Sequence, residues 1–188
     1  MPFSFTDLDV PGIVLVESVS FGDDRGRFFE GFKASAFEAA GLPGAFRQDN
    51  QSSSVPGVLR GLHFQRNPYA QGKLVSVSSG AIWDVGVDLR VGSPTFGKWV
   101  GVELHADDGR FLYIPPGFAH GFCVLGSETA VVRYKCTNEY SQPHDGGIRW
   151  DDPALAVAWP IDYEPILSAK DLVQPLLQDC DHGFVYEP

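Results

Sequence analysis

Two histidines, an arginine, a tyrosine and an aspartate stand where a core-building pattern has no need of them. In Gly57-Val58-Leu59-Arg60-Gly61-Leu62-His63-Phe64-Gln65, Arg60 and His63 interrupt an apolar strand, and burying either without a partner is costly. Both are therefore expected to face a ligand. Strict alternation sends them to opposite faces, but Gly61 between them can support a bulge that turns both to one side. A satisfied core histidine with an arginine at the rim fits these residues equally well. Pro115-Pro116-Gly117-Phe118-Ala119-His120-Gly121-Phe122 is a tight turn that delivers His120 at the start of a strand. A rigid turn fixes a side chain in place, although an ordinary hairpin with an exposed histidine gives the same pattern. In Val131-Val132-Arg133-Tyr134-Lys135, Val132 and Tyr134 share a face, so the phenol points inward among core valines. There it is open to two uses, proton donor or buried hydroxyl with a hydrogen-bond partner. Asp171 closes Ser168-Ala169-Lys170-Asp171, which by itself reads as a helix capping box.

The elements that must hold these groups are short. Apolar alternation of strand length recurs at 12–17, 74–78, 81–89, 98–104, 110–114, 121–125 and 129–135. Turn chemistry separates the runs: Ser79-Gly80, Gly92-Ser93-Pro94, Asp107-Asp108-Gly109, Pro115-Pro116-Gly117 and Gly126-Ser127. That spacing predicts an all-β meander or Greek key closing into a barrel or sandwich. A helix is predicted over 33–40, stopped by Gly41 and Pro43, and a second from Ser168, cut short by Pro175. The polar tail over 178–188 is expected to be loosely ordered.

Composition agrees. With 188 residues, 44% of them hydrophobic, the chain can bury one sizeable core, and one domain over 1–188 is expected. Gly (21), Pro (14) and Phe (14) favour turns and pleated faces over long helices. A net charge of -10 argues against an electrostatic grip on a nucleic-acid backbone, where a basic stripe is expected, so an anionic ligand must be held by a few converging cations. Cys123, Cys136 and Cys180 form no CxxC pair, which indicates neither a disulfide framework nor a zinc knuckle. Residues 1–16 lack a basic stretch before an apolar run, and no run of 18 apolar residues occurs. A cytoplasmic protein with no membrane or nucleic-acid partner is expected.

The ordered motifs resemble the dTDP-4-dehydrorhamnose 3,5-epimerase family over nearly the whole chain. They are Asp24-Arg25-Gly26 with Phe28 and Glu30, QDNQSSS from Gln48, GVLRGLHFQ from Gly57, QGKLVSV from Gln71, DVGVDLR from Asp84 and SPTFGKW from Ser93. IPPGFAHGF from Ile114, YKCTNEY from Tyr134, GIRWDDP from Gly147 and LSAKD from Leu167 continue the series. The resemblance implies a cupin-type jelly roll without metal or cofactor, acting on a dTDP-4-keto-6-deoxyhexose. It implies that His63 is the general base, Asp171 its carboxylate partner and Tyr134 the proton donor on the opposite face of the sugar. Inverting a carbon beside a ketone needs just such a base, an acid across from it, and a stabilised enolate between them. Lys73 is the cation expected near the developing oxyanion.

Binding roles implied in the same way fall on Arg25, Phe28, Glu30, Gln48, Asp49, Asn50, Arg60, Lys73, His120, Asp145 and Lys170, with Tyr140 stacking on the thymine. Arg25, Arg60 and Lys170 suit a pyrophosphate, since guanidinium forks match phosphate oxygens. A homodimer is implied too, with amino-terminal strands exchanged so that Arg25 and Glu30 complete the partner's site. Phe64 stands where the family commonly has Tyr, and Asp145 where Glu is usual; both are expected to shift ligand contacts slightly. Two rivals have different chemistry. A metal-dependent cupin would present His-x-His followed by Glu, whereas His63 is followed by Phe64 and Gln65. A silent nucleotide-sugar binder would have no use for His63, Tyr134 and Asp171 together. Epimerisation at one carbon and at both share these residues.

Overall fold

A computed structural model describes residues 2–187. In chain order its strands are β1 (Phe3–Asp7), β2 (Val14–Ser18), β3 (Phe21–Asp23), β4 (Gly26–Phe28), β5 (Gln48–Ser54), β6 (Leu59–Gln65) and β7 (Lys73–Ser79). Then follow β8 (Ala81–Asp88), β9 (Trp99–His105), β10 (Arg110–Ile114), β11 (Phe118–Leu125), β12 (Ala130–Cys136) and β13 (Asp145–Gly147). Helix α1 (Ala34–Ala39) lies between β4 and β5.

Two antiparallel sheets face each other. One has the order β1-β2-β10-β7-β12-β5, the other β13-β6-β11-β8-β9, and β3 and β4 form a separate hairpin. Side-chain alternation divides the apolar residues into three layers. Val75, Val77, Ile82, Leu104, Leu112, Phe122, Val124 and Val132 fill the space between the sheets. On the outside of the larger sheet, Phe3, Val16, Leu74, Phe111 and Tyr113 pack with Phe37 of α1. Burial pushes the Tyr113 phenol up to about 12. On the outside of the smaller sheet, Leu62, Phe64, Val85 and Val87 are covered by Leu155 and Phe184 from the carboxy-terminal segment.

The expected runs are all strands, displaced by a residue or two at their ends except over 118–125, where β11 begins three residues earlier. Strand β5 was not among them because its residues are polar on both faces. It is an edge strand whose inward face carries Gln48, Asn50 and Ser52, opposite Cys136, Tyr134 and Val132. The helix over 33–40 is present as α1, but the one from Ser168 shrinks to a three-residue 3-10 turn, Asp171–Val173. Leu172 and Val173 are exposed, so no buried stripe holds a longer helix there. The tail is docked rather than loose: Phe184 is buried against Phe64, and Val185 bridges Val91. Pro188 lies outside the described residues.

Candidate active site

A bulge in β6 builds the first wall of the site. His120 and Phe122 lie two apart on β11 and share a face, and their register partners on β6 are His63 and Arg60, three apart. The extra residue turns both onto the inner face. Gly61 makes this possible, with φ at +138° and a backbone so close to β11 that a Cβ would stand 2.6 Å from the Gly121 Cα. Leu62 and Phe64 then point outward into the covered layer. Phe64 therefore cannot shift ligand contacts as the sequence suggested, because its ring meets Phe184 and the Arg66 guanidinium on the far side of the sheet.

His63 Nε2 lies 2.5 Å from Asp171 Oδ1, and that carboxylate is 2% exposed. The turn after Ser168 fixes it: the Asp171 backbone N–H donates to Ser168 Oγ at 3.1 Å, and the Ser168 hydroxyl donates to Asp171 Oδ2 at 2.7 Å. The capping contact and the histidine contact thus coexist on one residue. Burial alone would raise the Asp171 carboxyl, but the His63 bond and charge together with Ser168 outweigh it and hold the group below its ordinary range.

The opposite wall belongs to the larger sheet. Tyr134 pairs with Val75 on β7, and its ring reaches the inner layer, 6.4 Å from the His120 ring between centroids. Burial, aided by Cys136, raises its phenol, and Arg60 opposes that rise. Lys73 shares the inward face of Val75 and Val77 and is only 9% exposed. Burial lowers its ammonium, against the pull of Cys136, Asp84 and Asp145. Arg60 donates to Ser54 Oγ at 3.0 Å and to the Ser53 carbonyl at 3.3 Å.

A second polar group gathers around Asp145. Lys170 forms an ion pair with Asp145, which also accepts from Gln65 at 3.2 Å and from the Tyr140 hydroxyl at 3.4 Å. Gln48 accepts the Tyr140 N–H at 2.7 Å and donates to Asn50 at 2.9 Å. The Tyr140 ring remains half exposed, free to stack.

Some candidates are not gathered here. Asp49 alternates to the outer face and pairs with Lys135 at 3.0 Å, so its side chain is turned away from the inner pocket. Arg25, 89% exposed on the β3–β4 hairpin, pairs with Asp23, and Phe28 is exposed on the same hairpin. Glu30 is half-buried, with Oε2 unpartnered among the described residues. Asp84 was overlooked. It is fully buried on β8 and accepts from His120 Nε2 at 2.7 Å. An aspartate between Ile82 and Val85 broke an apolar strand just as Arg60 and His63 did, and that signal was available. Among the described residues no three His, Cys, Asp or Glu side chains converge as they would to hold an ion.

Two facing antiparallel sheets that bring a histidine with its carboxylate, a phenol and a lysine to their inner side make a cupin-like fold, and the chain is an isomerase by its family. The dTDP-4-dehydrorhamnose 3,5-epimerase family model matches residues 7–179, and the chain belongs to that family. The dTDP-4-dehydrorhamnose 3,5-epimerase of Shigella flexneri is 50% identical over 93% of this chain and 96% of its own. The dTDP-6-deoxy-D-glucose-3,5-epimerase of Legionella pneumophila, solved in complex with dTDP-4-keto-L-rhamnose, superposes with a TM-score of 0.94. It is 43% identical, covering 99% of this chain and 100% of the other. ChmJ, a 3'-monoepimerase from Streptomyces bikiniensis solved with dTDP-quinovose, gives a TM-score of 0.86 at 36% identity over 92% of this chain and 87% of its own.

Proposed function

We propose that this chain converts dTDP-4-dehydro-6-deoxy-D-glucose to dTDP-4-dehydro-L-rhamnose, by proton transfer at the two carbons flanking the ketone. His63, oriented by Asp171, removes the proton from carbon; Tyr134, reaching in from the facing sheet, returns one to the opposite side. Lys73 offers its ammonium to the enolate oxygen in a dry interior, where such a charge acts strongly. Arg60 and Lys170 meet the pyrophosphate, Tyr140 stacks on the base, and Gln48, Asn50, His120 and Asp145 hold the ligand around them. Support comes above all from one observation: His63 and Tyr134 enter the same inner layer from opposite sheets, and His63 is anchored to a buried carboxylate.

The same reading takes residues 1–188 as one domain of a cytoplasmic homodimer. The hairpin carrying Arg25 and Phe28 is exposed in a single chain, which suits a role in the partner's pocket together with Glu30. Turnover in D₂O followed by NMR tests the reaction. Deuterium at both carbons beside the ketone is expected. Label at one carbon would assign single-centre chemistry instead, and no label with bound substrate would leave a binder.

A further inference from the structure

Asp84 belongs to no step above, yet its placement is costly. The carboxylate is fully buried, and only one of its oxygens has a partner: Oδ1 accepts from His120 Nε2 at 2.7 Å, while Oδ2 has none among the described residues. Such a group persists in a core when something else depends on it. An ionised carboxylate only accepts, so its neighbour must carry the proton on the nitrogen that faces it. His120 is itself 6% exposed, and burial lowers its pKa despite Asp84's opposing pull, leaving a neutral ring with one bare nitrogen. That nitrogen, Nδ1, has no partner among the described residues, and the ring stands opposite His63 in register and beside Tyr134.

We propose that Asp84 is a positioning residue: it holds the His120 proton on Nε2 and so presents Nδ1 to the pocket as an acceptor for a hydroxyl of the bound sugar. The sugar follows from the function proposed above; the tautomer does not depend on it. Asp84 shares its strand with Ile82 and lies on the same inner face, so the contact survives only while β8 and β11 keep their register of Asp84 against Phe122. Asp171 orients the base; Asp84 would orient a binding group one strand away.

Long-range proton–nitrogen NMR of the uniformly labelled protein reads each ring's tautomer directly. In the wild type, His120 is expected to be neutral with its proton on Nε2. In Asp84→Ala it becomes a mixture, while in Asp84→Asn, whose amide is free to offer its carbonyl oxygen, the Nε2–H form returns. Calorimetry then separates positioning from general damage. Asp84→Ala should weaken dTDP-glucose binding about tenfold, the worth of one lost hydrogen bond, and leave dTDP, which has no hexose, unchanged. A wild-type ring protonated on Nδ1, an unaltered tautomer in Asp84→Ala, or equal losses for dTDP and dTDP-glucose would each overturn the proposal. The wild-type spectrum decides even if Asp84→Ala fails to fold. Failure to bind either nucleotide would count against the proposed function and leave the tautomer test standing.

Discussion

Asp171→Asn is expected to disable the base by turning its imidazole around, although it removes no atom from the pocket. The reason lies in Ser168. Its oxygen accepts the residue-171 backbone N–H, so its single proton must go to the side-chain oxygen now called Oδ2. In the variant only the amide oxygen can take that place, which points the NH₂ group at His63 Nε2. That nitrogen must then accept, its proton moves to Nδ1, and the lone pair that should attack the sugar is gone. The corresponding carboxylate-to-carboxamide change in the serine-protease triad costs about 10⁴ in rate by the same tautomer reversal, equivalent to about 5.4 kcal/mol of barrier. A loss of about that size in kcat/KM and in deuterium uptake from D₂O is expected here. Ser168→Ala alone leaves the carboxylate on His63 and should cost no more than about tenfold, near the worth of one hydrogen bond. In the double variant the amide is free to rotate and offer its oxygen to His63, which should restore about 10- to 100-fold, the rate equivalent of sparing one buried unsatisfied group. An Asp171→Asn enzyme within tenfold of wild type, or a double variant no faster than the single one, would refute the reasoning.

Tyr134→Phe should cost about 10² to 10⁴ in inversion, while deuterium still washes into substrate because His63 can return a label to the face it came from; equal loss of both, by NMR, would count against Tyr134 as the donor. Gly61→Ala should lower stability by about 2–4 kcal/mol, since a non-glycine residue is strained at this φ and its methyl would strike the β11 backbone; an unchanged urea midpoint would contradict the bulge. Acidification should destabilise the fold in two stages. The His120 pKa is depressed by burial, so the unfolded chain takes that proton first and stability falls as pH drops below 6.5 towards the folded value. The carboxyls of Asp88 and Asp171 are also depressed; burial opposes this, but Arg90, Ser93 and Thr95 outweigh it at Asp88, as His63 and Ser168 do at Asp171. Their contribution is therefore lost below 3.8. Urea midpoints measured from pH 7 to 5 should fall in the wild type and fall less steeply in His120→Gln, where His182, also depressed by burial, still contributes; a rise on acidification would reverse the sign argued here.

Alternation of apolar residues with turns between them was enough to read the strands, because a half-buried strand writes its two faces into a period of two. The same logic exposed Arg60, His63 and Tyr134 as side chains out of place in a core, and it would have exposed Asp84 had it been applied to Ile82-Trp83-Asp84-Val85. Strand β5 escaped it because a strand that lines a polar pocket has no apolar face to show. Phe64 misled because a residue's neighbour in sequence lies on the other side of the sheet. Which residues meet was decided by pairing across distance. Gly61 marked the bulge locally, but Asp171 reaches His63 across 108 positions, and His120 reaches Asp84 across 36, through a strand register that no local pattern encodes. A sequence states what each residue prefers to be buried beside, whereas the choice of partner depends on the closure of the two sheets as a whole.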